Sequence, residues 1–249
     1  MATTADATES YTIEQETIRL HMHEQVWAPT DFAHLFAQLL TDAVEPDHNV
    51  LEIGVGSGVL AVYAGLKGAT VVGTDINPHA PDLCSRNWNL NGLDPAKGRF
   101  LQSDLFDALT EEDERAFDVL WCNAPTFPGQ VSDRVNRQTR VEYEQAGDDG
   151  REIVDSVIRS SSPFLKPGGT MITVVTSKQG WQATETLMNR HWSDWEVAME
   201  NELLLAAHYF PFIDYWLERE REDGEQRIYK KGGNWYQRLL LLKARKGAS

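Results

Sequence analysis

Residues 50–58 read VLEIGVGSG, a short apolar strand running into glycines spaced Gly54-x-Gly56-x-Gly58, with Glu52 two places ahead of the first. A chain that must turn this sharply out of a strand has few folds open to it. Glycine tolerates the left-handed backbone such a turn needs, and it lets a ligand approach main-chain N–H groups with no Cβ in the way. An acid at the strand end beside the loop points to a cradle for a small cofactor. The rival reading is a dinucleotide-binding loop, G-x-G-x-x-G, which holds a pyrophosphate on a helix N-terminus. That pattern asks for a small residue at position 59, where this chain has Val59, so the third glycine comes one residue too early.

Three more apolar runs end in a polar residue. Residues 70–76 (TVVGTDI) place Asp75 about 20 residues after the loop, where a strand-tip carboxylate accepts ribose hydroxyls. Residues 99–105 (RFLQSDL) carry Asp104, and residues 117–123 (FDVLWCN) end in Asn123. Taken singly, each is also readable as a turn former or helix cap. Taken in this order, the loop and the strand tips resemble the class I, Rossmann-like S-adenosylmethionine-dependent methyltransferases. The resemblance implies S-adenosylmethionine as cofactor. Glu52 and the backbone of Gly54, Gly56 and Gly58 would hold its methionine end, and Asp75 its ribose. Ile76 and Leu105 would cover the two faces of adenine and Asp104 would accept its amino group, with Asn123 at the edge of the same set.

Length and charge bound the rest. A chain of 249 residues with 41% hydrophobic content can bury a full core as one α/β domain. No apolar run approaches the ~20 residues of a membrane span. The opening MATTADATES reads as a disordered lead-in extending to about residue 25. Cys84 and Cys122 are the two cysteines and fall inside predicted elements, which argues against a disulfide framework or a metal site and for a reduced, cytoplasmic enzyme. With 23 Lys+Arg against 38 Asp+Glu, the net charge is −15, the opposite of a nucleic-acid binder's balance. The C-terminal cluster Lys230, Lys231, Arg238, Lys243, Arg245 and Lys246 reads as a solvated surface. The expected partner is a small-molecule substrate, with neither nucleic acid nor membrane; a homodimer is left open.

Helical spacing of Phe32, Leu35, Phe36, Leu39 and Leu40 predicts a helix over 30–41, capped by Thr30 or Asp31. Strands at 50–55, 70–76, 99–104, 117–123 and 170–177 alternate with helices at 58–67, 79–91 and 149–161, and a polar stretch fills 128–148. This alternation predicts a parallel sheet with helices on both faces and ligands at the C-terminal strand tips. The methyltransferase resemblance implies seven strands, mostly parallel, closing in an antiparallel C-terminal hairpin. WEVAMENELLL and WYQRLLLLKA would form that hairpin, with residues 208–233 as a long insertion serving as a substrate cap. Trp27, Phe127, His208, Tyr209 and Phe212 are candidates for the substrate wall.

The chemistry is expected at Asn123-Ala124-Pro125-Thr126-Phe127, which resembles the N-P-P-[Y/F] motif of methyltransferases that modify amide or exocyclic amino nitrogens, such as the release-factor glutamine methyltransferases. There an Asn oxygen and backbone carbonyls aim a weakly nucleophilic nitrogen, proline frees a carbonyl, and a ring holds the plane. By this resemblance Asn123 and the carbonyls of Ala124 and Pro125 orient the acceptor. Val26-Trp27-Ala28-Pro29-Thr30-Asp31 and Ala146-Gly147-Asp148-Asp149-Gly150 resemble flanking segments of the same group. The chain departs from it at Ala124, at Thr126 where the ring should be, and in the short stretch before Trp27. These departures favour a small polar metabolite as methyl acceptor, with nitrogen as the acceptor atom. Protein glutamine N-methylation, or a S-adenosylmethionine-using enzyme that cyclises or eliminates, stands as the alternative. An oxygen or acidic-carbon acceptor would need a base, for which His208, His21 and His23 are available.

Overall fold

Apolar runs such as Val50-Leu51 and Val71-Val72 are buried on both sides, the pattern of strands in a covered parallel sheet. The computed structural model describes residues 8–128 and 146–248. In chain order the elements are strands β1 (Thr8–Ile13) and β2 (Glu16–His21), helix α1 (Asp31–Ala43), β3 (Asn49–Ile53), α2 (Val59–Leu66), β4 (Thr70–Asp75), α3 (Ala80–Leu90), β5 (Gly98–Gln102) and β6 (Phe117–Cys122). There follow α4 (Glu152–Ser160), β7 (Leu165–Thr176), α5 (Trp181–His191), β8 (Trp195–Leu204), α6 (Ile213–Asp223), β9 (Tyr229–Lys231) and β10 (Asn234–Arg245).

The chain divides into two compact units, where the sequence reading expected one domain. Unit 1 holds residues 1–123, 163–170 and 248–249; unit 2 holds 124–162 and 171–247. The boundary falls within β7 and just after β6, so no linker composition betrays it. In unit 1 the strand order is β5-β4-β3-β6 and then the first half of β7. β3 pairs in parallel with both β4 and β6, and β4 with β5. Phe36 and Leu40 of α1 are buried as their spacing predicts, and Thr41 Oγ1 meets the Tyr63 hydroxyl of α2 at 2.6 Å. Thr30 occupies the N-cap of α1 but makes no side-chain cap bond.

In unit 2 the second half of β7 is followed by β10 and β8, with β9 paired to β10. The predicted hairpin is there: β10 and β8 run antiparallel, from Tyr236 opposite Leu204 to Ala244 opposite Trp195. The insertion supplies β9, a strand the sequence reading did not expect. The insertion also folds a 3-10 turn at Ala207–Phe212 and helix α6, whose Trp216 packs with Leu205, Tyr209, Phe212 and Ile228.

One expectation fails outright. The lead-in to residue 25 is an antiparallel hairpin from Thr8 onward, Thr8 facing His21 and Ile13 facing Glu16. Ile18 and Leu20 alternate inward and are fully buried. Asn87 of α3 and Asn91, at that helix's C-cap, hold the hairpin by its backbone. Arg19 N–H donates to Asn91 Oδ1 (2.9 Å) while Asn91 Nδ2 donates to Arg19 O (2.7 Å). Asn87 repeats the exchange with His21. Residues 1–7, and residues 129–145 of the predicted polar stretch, lie outside the described residues.

Candidate active site

The glycine loop leaves β3 in left-handed backbone at Gly54 (φ 78), Gly56 (φ 51) and Gly58 (φ 81). A Cβ on Gly54 or Gly56 would meet nothing within 4 Å. On Gly58 it would overlap Cys84 Sγ of α3. The N–H groups of the three glycines do not stand free, as the sequence reading had them. Gly54 and Val55 both donate to Thr74 O (2.8 and 2.9 Å), Gly58 to Val55 O (2.8 Å) and Gly56 to Asp75 Oδ2 (2.8 Å). The glycines thus contribute space and turn geometry more than donors. Gly58→Ala combines left-handed strain with overpacking and is expected to cost about 2–4 kcal/mol of stability in urea denaturation. Gly56→Ala should cost about 1–2 kcal/mol, since only the strain applies.

Glu52 is 3% exposed, and its Oε2 has no hydrogen-bond partner. Burial pushes its carboxyl up to about 8; the Trp121 indole and the Ala61 N–H pull it down, and the charge of Asp75 raises it. The folded pKa lies above the unfolded value, so the folded state keeps a proton that the unfolded state has lost. This group's contribution to stability is therefore full below about pH 4.5 and lost as pH rises toward 8. Asp75 is also raised by burial, opposed by the Asn77 and Gly56 N–H groups that its two oxygens accept.

Beyond Asp75, Ile76 is 49% exposed, an apolar side chain left uncovered at a strand tip. Leu105 sits in left-handed backbone (φ 46), costly for a leucine. Its carbonyl is held by the Thr74 hydroxyl (2.9 Å) and the Ser103 hydroxyl (3.1 Å). Asp104, beside it, is exposed. The segment before α1 also reaches this region: Asn77 Nδ2 donates to Gln25 O (2.6 Å), and the His23 and His79 rings stack at 4.7 Å. Asn87 Nδ2 ties the loop itself through Ser57 O (2.8 Å). Trp27 is 46% exposed. His21 donates and accepts through its backbone in the hairpin, so its place is structural.

Asn123, half-buried, ends unit 1; Ala124 begins unit 2. Within unit 2, Thr126 is buried and its Oγ1 meets the Tyr209 hydroxyl (3.3 Å) and accepts from Lys178 Nζ (3.2 Å). The Phe127 ring stacks on Tyr209 at 4.6 Å and meets Phe212 edge-on at 5.8 Å. Gly150 (φ 77) passes so close to the Thr126 carbonyl that a Cβ would sit 2.6 Å from it. The expected substrate wall is only partly a wall. Phe212 is 1% exposed and belongs to the apolar core, where a phenylalanine contributes about 3–5 kcal/mol. Tyr209 is buried under the same cluster. His208 is exposed, against the rings of Tyr209 and Phe127; burial and then the Lys178 charge hold its pKa below the usual value. Lys178 escaped the sequence reading, since SKQG after a strand looks like solvated turn.

Unit 1 fits the cofactor on two counts: the buried, unpartnered Glu52 oxygen and the open space over Gly54 and Gly56. The comparisons agree. The family model for ribosomal protein L11 methyltransferase matches residues 32–125. A putative protein N5-glutamine methyltransferase of Methanocaldococcus jannaschii is 35% identical over 173 residues, 69% of this chain and 83% of the relative. A release factor glutamine methyltransferase of Rhodopirellula baltica is 35% identical over 135 residues, 51% of this chain; the match spans 44% of that protein. The fold matches that of the T. thermophilus 16S rRNA N2 G1207 methyltransferase, solved with AdoMet and guanosine, at a TM-score of 0.63 and 18% identity, over 96% of this chain and 50% of that one. No helix among the described residues is long and apolar enough to cross a membrane. Taken with the loop and its strand tips, these likenesses place the chain among the class I S-adenosylmethionine-dependent methyltransferases.

Proposed function

We propose that the chain methylates the side-chain amide of a glutamine in a protein substrate, using S-adenosylmethionine. The observation that carries this reading is the likeness to a putative protein N5-glutamine methyltransferase across most of both chains. It displaces the small polar metabolite that the altered Ala124 and Thr126 positions favoured. The net charge of −15 speaks against an RNA acceptor.

The chemistry supplied by bound S-adenosylmethionine is an electrophilic methyl group, so no nucleophilic side chain is asked of the protein. Asn123, at the tip of β6, accepts one N–H of the amide through its side-chain oxygen. The carbonyls of Ala124 and Pro125 take the other. Pro125 has no N–H to compete and its φ is fixed, which limits how far the segment can drift. Held this way, the nitrogen lone pair is aimed rather than averaged over orientations, the main aid a weak nucleophile can receive. Glu52, Asp75, Ile76, Asp104 and Leu105 hold the cofactor in the roles given above.

The test is mass spectrometry after incubation with methyl-deuterated S-adenosylmethionine and two acceptor pools, release-factor protein and a low-molecular-weight cell extract. Label on a protein glutamine supports the reading. Label on a small metabolite alone overturns it, and consumption of the cofactor without label in either pool points to cyclisation or elimination.

Glu52 gives a second test. A carboxyl that must ionise to meet the amino group of the cofactor releases its proton on binding. S-adenosylhomocysteine affinity should rise with pH toward about 8, with proton release in calorimetry that depends on buffer ionisation enthalpy. Glu52→Gln should abolish both the slope and the release; a slope that survives the substitution assigns it to another group.

A further inference from the structure

Three polar residues in a row, Ser177, Lys178 and Gln179, follow β7 in a short 3-10 turn, and all three are buried. Each side chain holds a different part of unit 2. Ser177 Oγ donates to Arg227 O (2.5 Å) and accepts from the Arg238 N–H (3.0 Å). Gln179 Nε2 donates to Gly150 O (2.6 Å), and Gly150 in turn lies against the Thr126 carbonyl. Lys178 Nζ donates to Thr126 Oγ1 (3.2 Å), the oxygen that also meets the Tyr209 hydroxyl (3.3 Å). Two neighbours in the turn thus grip one residue of the 123–127 segment, one at its hydroxyl and one, through Gly150, at its carbonyl.

Lys178 is an expensive way to make that contact. It is 2% exposed, with its Nζ 3.3 Å from the Tyr209 ring centroid and 5.3 Å from that of Trp216. Burial pushes its pKa well below the usual lysine value, the mark of a place that disfavours the charged form. A methionine would fill the same space against the same rings without that penalty. Packing therefore does not account for an amine here, whereas a donor fixed on Thr126 does.

We propose that Lys178 is a positioning residue for methyl transfer, acting through the Thr126 hydroxyl to fix the peptide plane that aims the Pro125 carbonyl. The inference rests on the reading that Ala124 and Pro125 orient the acceptor. The Pro125 carbonyl shares one rigid plane with the nitrogen and Cα of Thr126. Proline fixes φ on the near side of that plane, and the grip on Thr126 fixes the far side. Thr126, the departure from the N-P-P-[Y/F] pattern, is then the handle by which the segment is held.

Lys178→Met, Thr126→Val, Thr126→Ser and the double variant Lys178→Met/Thr126→Val are compared with the wild-type full chain. Turnover is followed on whichever acceptor the wild-type enzyme labels. A metabolite in place of a glutamine overturns the glutamine reading, while the variants still decide on Lys178. In Lys178→Met kcat is expected to fall about 10- to 100-fold, the effect of a small misplacement at a reacting centre. Thermal unfolding should hold or rise, since an apolar chain replaces a buried amine, and S-adenosylhomocysteine affinity should not change. Thr126→Val should lose as much turnover, and Thr126→Ser, which keeps the hydroxyl, should retain about tenfold more than Thr126→Val. The double variant should lose no more than the larger single loss, because both changes remove the same contact. Unchanged kcat in a folded Lys178→Met overturns the proposal, and so do losses that multiply in the double variant. Should Lys178→Met not fold, equal turnover in Thr126→Val and Thr126→Ser overturns it.

Discussion

Asn123→Ala is expected to lower turnover of the protein substrate by about 10²–10³-fold, the usual loss when one preorganised hydrogen-bonding group at a reacting centre is removed. The structure explains why the effect should be confined to chemistry. Asn123 follows β6 rather than lying within it, and it is half-buried, so no ladder bond or packed core depends on its side chain. Thermal unfolding should therefore barely move. The discriminating measurement pairs turnover with S-adenosylhomocysteine affinity by calorimetry. Unchanged affinity with lost turnover supports acceptor positioning. Equal losses in both would assign Asn123 to the cofactor instead.

Asp75→Ala is expected to weaken S-adenosylhomocysteine binding by about 100-fold or more, because a charged acceptor contributes roughly 1.5–3 kcal/mol per hydrogen bond. Its oxygens already hold the Gly56 and Asn77 N–H groups at 2.8 and 2.9 Å, so the same change also frees the glycine loop. A stability cost of about 1–3 kcal/mol should accompany the binding loss. Asp75→Asn should not rescue it, since its NH2 would face one of those two donors. Intact binding in a destabilised Asp75→Ala would leave Asp75 as a loop brace and remove it from the ribose.

What was legible follows from what each residue type can do. Gly54, Gly56 and Gly58 adopt backbone that other residues avoid, so their spacing reveals a turn; that the acid at the strand tip beside it also braces the loop, through the Gly56 and Asn77 N–H groups, was not legible. Apolar runs gave the parallel strands and the C-terminal hairpin for the same reason: burial leaves a periodic trace. The N-terminal hairpin left almost none. Its strands bury only Ile13, Ile18 and Leu20. What pins them is Asn87 and Asn91, polar positions on a helix and at its C-cap, whose bonds to a distant hairpin leave no trace in sequence. Leu105 at positive φ was invisible, since leucine advertises no such backbone and the hydroxyls of Thr74 and Ser103 that hold it come from two other positions. Phe212 and Tyr209 looked like a ligand wall because aromatic clusters serve both cores and clefts. Only burial separates the two.

The division of β7 has a consequence for how the protein is born. On the ribosome the chain emerges from its N-terminus and domains fold as they are completed, at about 5–20 residues per second. Residues 1–123 supply β3 to β6, yet the strand that finishes unit 1 comes with residues 163–170, after the first stretch of unit 2 has already left the tunnel. Each unit thus waits on a segment synthesised within the other's span, and neither can be cut out of the gene as one continuous piece.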